Sequence, residues 1–192
     1  MQMIRMAEAL GDQGTRALMI ARMRAGDVFL YPTDTVYGIG CDAGNAESVR
    51  RIAEAKGRAE RSFSVIAPSK EWIWANALFS EANRKLADAL LPGPYTIVAR
   101  AGKGVPKEVV SPERTIGIRI PKHPFASLVT EAGVPFVTTS ANASGRQPAT
   151  TPGAVPEQIR KAVDWAIDAG EIGGASSRVF DLTKDDVRIL RH

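Results

Sequence analysis

Cys41 is the only cysteine in this chain of 192 residues, so an internal disulfide is excluded. Residues Met1 to Leu10 carry Arg5 and Glu8 and lack the apolar stretch of a secretory signal. Together these two absences predict a reducing, cytoplasmic setting. No apolar run approaches the ~20 residues of a membrane span, so no membrane association is expected. Aromatic residues make up only 6% of the chain and mostly fall within apolar runs. That leaves no evident stacking platform for single-stranded RNA. The two histidines, His123 and His192, stand in no recognisable pattern with a serine or cysteine nucleophile, and a hydrolase triad is not expected. No block of five like charges occurs. The 25 basic and 21 acidic side chains give a net charge of +4, which suits an anionic substrate or nucleic acid and equally an ordinary mixed surface. There is no internal repeat, low-complexity tract or interdomain linker.

An apolar fraction of 44% over this length predicts one domain, residues 1–192, with a sizeable core. The pattern predicts a helix from Gly14 to Ala25, with Ala17, Leu18, Ile20 and Ala21 as its apolar stripe and Gly26 as terminator. A second helix is expected at Asn45 to Ala55, capped by Asn45, with Val49, Ile52 and Ala53 facing inward. Further helices are expected at Ser69–Ala77, Ser80–Leu90, Pro124–Ala132 and Glu157–Ala162. Strands are expected at Asp27–Tyr31, Phe63–Ala67, Tyr95–Arg100, Thr115–Ile120, Val134–Thr138, Ala166–Ala169, Ser177–Leu182 and Val187–Leu190. Strands mixed with helices, sometimes consecutive, indicate an α/β domain with a mixed sheet.

Two strand ends stand out. After the apolar run Val134–Val137 the chain reads Thr138-Thr139-Ser140-Ala141-Asn142-Ala143-Ser144-Gly145. After Val28–Tyr31 it reads Pro32-Thr33-Asp34-Thr35-Val36-Tyr37-Gly38-Ile39-Gly40. Short hydroxyls, an amide and glycines at a sheet edge present donors and acceptors with little bulk, which suits a phosphate or carboxylate. Lys56 and Arg58 lie close in sequence just past the Asn45 helix, where two cations can converge on one anion or simply favour a helix C-terminus. Thr33 and Thr35 share one face of an extended segment and suit a small polar substrate, or merely a strand. Arg119 alternates with Ile116, Ile118 and Ile120, and a lone arginine there is most often a surface residue. Cys41 reads as a small buried residue.

Taken with Leu90–Pro94, Gly117–Pro121, Ser177–Asp181 and Ile189–Arg191, these segments resemble the YrdC-like family of threonylcarbamoyl-AMP synthases, over Val28 to Arg191. The resemblance implies a twisted mixed sheet flanked by helices around a basic cleft, of the YrdC/RibB-like kind, in the short form without a second C-terminal domain. It implies that L-threonine, bicarbonate and ATP (with Mg²⁺) yield threonylcarbamoyl-AMP and pyrophosphate. The product serves N6-threonylcarbamoylation of tRNA by a downstream transferase complex. Carried over residue by residue, it places Lys56, Arg58, Ser140 and Asn142 at the phosphates as catalytic groups. Thr33, Thr35, Arg119, Thr138 and Ser177 fall around threonine, with Arg119 on its carboxylate. Thr115 and Arg191 join Lys56, Arg58, Ser140 and Asn142 near ATP. No side chain is assigned to the metal. The run Ala59-Glu60-Arg61-Ser62-Phe63-Ser64 departs from the family's pattern, where a further polar residue and Pro-Leu precede the strand. That departure keeps alternatives open: an RNA-binding paralogue without synthase activity, or carbamoyl-adenylate chemistry.

Overall fold

The computed structural model describes residues 1–57, 63–143 and 146–191. The chain begins with β1 (Gln2–Arg5), α1 (Met6–Gly11) and α2 (Gln13–Ala25), then β2 (Phe29–Tyr31) and β3 (Gly38–Gly40). There follow α3 (Ala46–Ala55), β4 (Ser64–Ile66), α4 (Lys70–Asn76), β5 (Ala77–Leu78) and α5 (Glu81–Leu90). The second half runs β6 (Tyr95–Ala101), β7 (Thr115–Arg119), α6 (Ala126–Ala132) and β8 (Phe136–Ser140). It closes with α7 (Glu157–Arg160), β9 (Trp165–Asp168), β10 (Arg178–Asp181) and β11 (Arg188–Arg191). Among the described residues these strands form one mixed sheet in the order β1-β9-β2-β3-β8-β4-β7-β6-β10-β11, with β5 added to β6.

The helix starts follow their capping residues. The side chains of Asp12, Asn45 and Ser69 accept from the backbone N–H three residues on, at 2.7, 3.1 and 3.1 Å, and satisfy donors that the first turn leaves open. Gly26 ends α2 in the left-handed conformation at φ 88°, and a Cβ there would strike the Asn45 side chain.

Strand alternation splits neighbouring residues between two cores. Leu30, Val65 and Val137 join Val49 and Ile52 of α3 on one face. Phe29, Tyr31, Ile66 and Phe136 join Met19 and Met23 of α2 and Leu128 and Val129 of α6 on the other. Tyr31 stacks on Phe125 with ring centroids 4.2 Å apart. Along β4 and β8 the parity that buries Ile66 and Phe136 carries Ser64, Thr138 and Ser140 to the cleft wall. The cleft therefore continues the face that α2 and α6 cover. Gly40 lets β3 lie against β8, since a Cβ would come within 1.8 Å of the Val137 carbonyl oxygen.

Two readings of the sequence are corrected. The buried face of α2 is Met19 and Met23, not the stripe of Ala17, Leu18, Ile20 and Ala21; Leu18 is 41% exposed. The helix is turned by its contacts with α6, where Arg16 pairs with Glu131 and Arg24 donates to the carbonyls of Ala132 and Glu131. Strands β1, β3 and β5 were not expected. β1 pairs in parallel with β9 through a sequence, Gln-Met-Ile-Arg, that has almost no buried face to announce it.

Cys41 is fully enclosed in the first core, and burial pushes its thiol far above the ordinary range, so no thiolate is available as a nucleophile. Cys41→Ala is expected to fold and to retain turnover within about twofold, at a stability cost of roughly 1 kcal/mol for the lost packing. A folded but inactive variant would contradict this.

Candidate active site

The ends of β4, β6, β7, β8 and β10 and the segment after β2 enclose a cavity of about 250 Å³. Its lining is rich in hydroxyls: Thr33, Thr35, Ser64, Thr96, Thr138, Thr139, Ser140, Ser176 and Ser177, with Arg119 and Arg191 as its cations. The register explains the grouping. Ser64 lies opposite Thr138, and Ile66 lies opposite Arg119, so β4 carries one wall to the other. Gly117 has the same parity as Arg119, and a Cβ there would meet the Ser64 hydroxyl at 2.3 Å. Glycine at this position keeps the floor open beside Ser64.

Arg119 is buried, 6% exposed, at the end of β7. It forms an ion pair with Asp34, whose other oxygen accepts from the Lys122 backbone N–H at 2.8 Å. Burial holds the guanidinium below its usual value, and Asp34 acts in the opposite direction. Arginine nevertheless keeps its charge in a protein. Thr33 and Thr35 stand over the same end, their hydroxyls 2.9 Å apart. The Thr33 hydroxyl also donates to the Val36 carbonyl and accepts from the Thr35 and Val36 backbone N–H groups, which fixes the loop as a compact hydroxyl turn.

Lys56 caps the C-terminus of α3 and is 2% exposed. Its ammonium donates to the Ser140 carbonyl at 2.5 Å and to the Asn142 carbonyl at 2.7 Å. The Ser140 hydroxyl donates to the Asn142 side-chain oxygen, and the Asn142 amide donates to the Arg146 carbonyl. The structure thus brings Lys56, Ser140 and Asn142 together, as the sequence reading expected, and gives Lys56 the loop backbone as an immediate partner. Ser140 lines the cavity; Lys56 and Asn142 stand behind it. Arg58 lies outside the described residues, as do Arg61 and Ser62 of the departing segment and Ser144 and Gly145 of the loop.

Arg191 reaches back from β11 and donates to the Ser177 carbonyl at 2.9 Å and the Ser177 hydroxyl at 3.0 Å. The Ser177 hydroxyl is also 2.9 Å from that of Thr96. Burial lowers the Arg191 pKa from its ordinary value. Thr115 is not brought to the cavity. It starts β7, opposite Arg100, and its hydroxyl is 2.8 Å from that of Ser111. Sequence reasoning missed Asp34 as the partner of Arg119, and Ser64 and Thr96 as cleft hydroxyls. The signal for the last two is strand parity: each is the polar residue on the face opposite the aliphatic core.

No group of three or more His, Cys, Asp or Glu side chains among the described residues is placed to hold a metal ion. No helix among them is long and apolar enough to cross a membrane. The cavity as built offers fixed hydroxyls and two guanidinium groups to an anionic, oxygen-rich ligand, with a buried cation at one end.

The family model Sua5_yciO_yrdC, described as telomere recombination, matches residues 21–192. A threonylcarbamoyl-AMP synthase of Halorhodospira halophila is 34% identical over 168 residues, covering 84% of this chain and 87% of that protein. The crystal structure of Pyrococcus abyssi Sua5 complexed with L-threonine superposes with a TM-score of 0.84 at 30% identity. That match covers 99% of this chain, which spans only 56% of the Sua5 chain. Escherichia coli YciO superposes with a TM-score of 0.82 at 27% identity, covering 92% of this chain and 89% of that one. From the motifs at the ends of β2 and β8, the shared mixed sheet and these matches along nearly its whole length, the chain belongs to the Sua5/YciO/YrdC family.

Proposed function

We propose that this protein is an L-threonylcarbamoyladenylate synthase, converting L-threonine, bicarbonate and ATP to threonylcarbamoyl-AMP and pyrophosphate. The observation that carries the reading is the buried Arg119 facing a hydroxyl-lined cavity, on the fold of a protein whose structure is complexed with L-threonine. Arg119 takes the amino-acid carboxylate, and Thr33, Thr35, Thr138 and Ser177 surround the rest of the small substrate. The amine adds to the carbon of bicarbonate, with loss of water, to give an N-carboxylate. Its oxygen attacks the α-phosphorus of ATP; the bond to the β,γ-diphosphate breaks and pyrophosphate leaves. No covalent protein nucleophile is required, so catalysis rests on positioning and on charge stabilisation.

Ser140, Asn142, Lys56, Arg58 and Arg191 are assigned to the nucleotide end, Lys56 acting through the loop it holds. Mg²⁺ enters with the ATP phosphates, where it offsets their charge; no side chain is assigned to it. A single domain carries all of these groups. The mixed anhydride is reactive toward nucleophiles, and we assign its consumption to a transferase complex acting on tRNA, in the cytoplasm.

Pyrophosphate release tests the reading. Release from ATP and Mg²⁺ is expected only when threonine and bicarbonate are both present. ATP binding without release under the complete condition would contradict the synthase and favour a paralogue that binds RNA. Release sustained by carbamoyl phosphate instead of threonine would favour carbamoyl-adenylate chemistry.

A further inference from the structure

Asp34 holds no role in the assignments above, yet it makes the closest polar contact to Arg119. Its Oδ1 accepts from an Arg119 terminal nitrogen at 2.5 Å, and its Oδ2 accepts from the Lys122 backbone at 2.8 Å. The two side chains are only 7% and 11% exposed. One carboxylate therefore ties the segment after β2 to the end of β7 and to the turn that leaves it. Arg119 lines the cavity and Asp34 does not, so the grip comes from outside the ligand space.

The rest of the guanidinium is poorly satisfied. The Thr35 hydroxyl lies 3.4 Å from both terminal nitrogens, too far for a strong bond. Nε is buried and has no hydrogen-bond partner. A buried donor left open costs about 1–3 kcal/mol, and a cavity-lining side chain that carries one is waiting for an acceptor.

We propose that Asp34 is a positioning residue for substrate recognition, pinning one edge of Arg119 so that its remaining donors meet the carboxylate of the amino-acid substrate. The inference rests on the reading that Arg119 binds that carboxylate. The physical gain has two parts. A free arginine side chain loses about 2 kcal/mol of rotamer entropy when it is fixed, and Asp34 removes that cost before the ligand arrives. Asp34 also offsets one positive charge, so this end of the cleft favours a singly charged carboxylate over a multiply charged phosphate.

Binding measurements with L-threonine, L-threoninamide and ATP separate this role from a merely structural one. Asp34→Asn is expected to weaken L-threonine by roughly tenfold or more, as the loss of a charge-assisted contact implies. L-threoninamide, which has no carboxylate, and ATP are expected to change by less than about twofold. Equal losses for threonine and threoninamide, or unchanged threonine binding, would overturn the proposal. Should Asp34→Asn not fold, Asp34→Glu, which keeps the charge but displaces it by a methylene, gives the same comparison with the same expected split. Arg119→Gln in parallel distinguishes the two levels. If it leaves threonine binding intact, the carboxylate assignment itself fails. If it weakens threonine while Asp34→Asn does not, only the role of Asp34 fails.

Discussion

Arg119→Ala is expected to weaken L-threonine binding by on the order of 10- to 100-fold while leaving ATP binding within about threefold. A hydrogen bond to a charged group contributes about 1.5–3 kcal/mol, which sets that range. The site raises the stake, because Arg119 is 6% exposed and water cannot substitute freely for the lost donors. The same change strands Asp34, whose carboxylate is left nearly enclosed with only the Lys122 N–H at 2.8 Å. Breaking a buried pair by removing one partner costs roughly 3–5 kcal/mol, so a lower melting temperature is expected as well. Titration calorimetry on the folded fraction separates the two effects. Equal weakening of threonine and ATP would contradict the carboxylate role.

Lys56→Met is expected to lower kcat by on the order of 100-fold or more, with a much smaller change in KM for threonine. The estimate follows the loss expected when a preorganised charge-stabilising group is removed. Here the lysine acts through the loop: its ammonium holds the Ser140 and Asn142 carbonyls at 2.5 and 2.7 Å. Methionine preserves most of the buried stem and removes the donors, so the two carbonyls lose a partner and the loop loses its anchor. An unfavourable stability change of roughly 1–3 kcal/mol accompanies it. A near-normal kcat in the folded variant would remove Lys56 from the catalytic arrangement. A loss confined to KM would make it a binding residue only.

Local chemistry was legible wherever a structural feature depends on neighbours in sequence. Asn45, Ser69 and Ser80 cap the helices that their spacing predicted, with Ser80 accepting from Asn83 at a longer 3.4 Å. Val49, Ile52 and Ala53 form the inner face of α3, and Ile116 and Ile118 the inner face of β7. What spacing cannot carry is the choice of partner across the chain. The Arg119–Asp34 pair spans 85 positions, and the Lys56 contacts span 84 and 86, so nothing local announces either. The face of α2 depended on α6, far along the chain, and the polar edge strand β1 depended on β9. Ser64 and Thr96 were within reach of parity. Each lies on a strand whose apolar residues mark the core side, which leaves the opposite face for the cleft.

The central claim is that one cavity joins threonine, bicarbonate and ATP into a single adenylate. Incubating the protein with ATP, Mg²⁺, L-threonine and carbon-13-labelled bicarbonate, then analysing the quenched mixture by mass spectrometry, tests it most directly. A threonylcarbamoyl-AMP that carries the heavy carbon, formed in step with pyrophosphate and lost in Arg119→Ala, is the predicted result. Pyrophosphate or AMP without a labelled adenylate, or no turnover while threonine and ATP both bind, would contradict it.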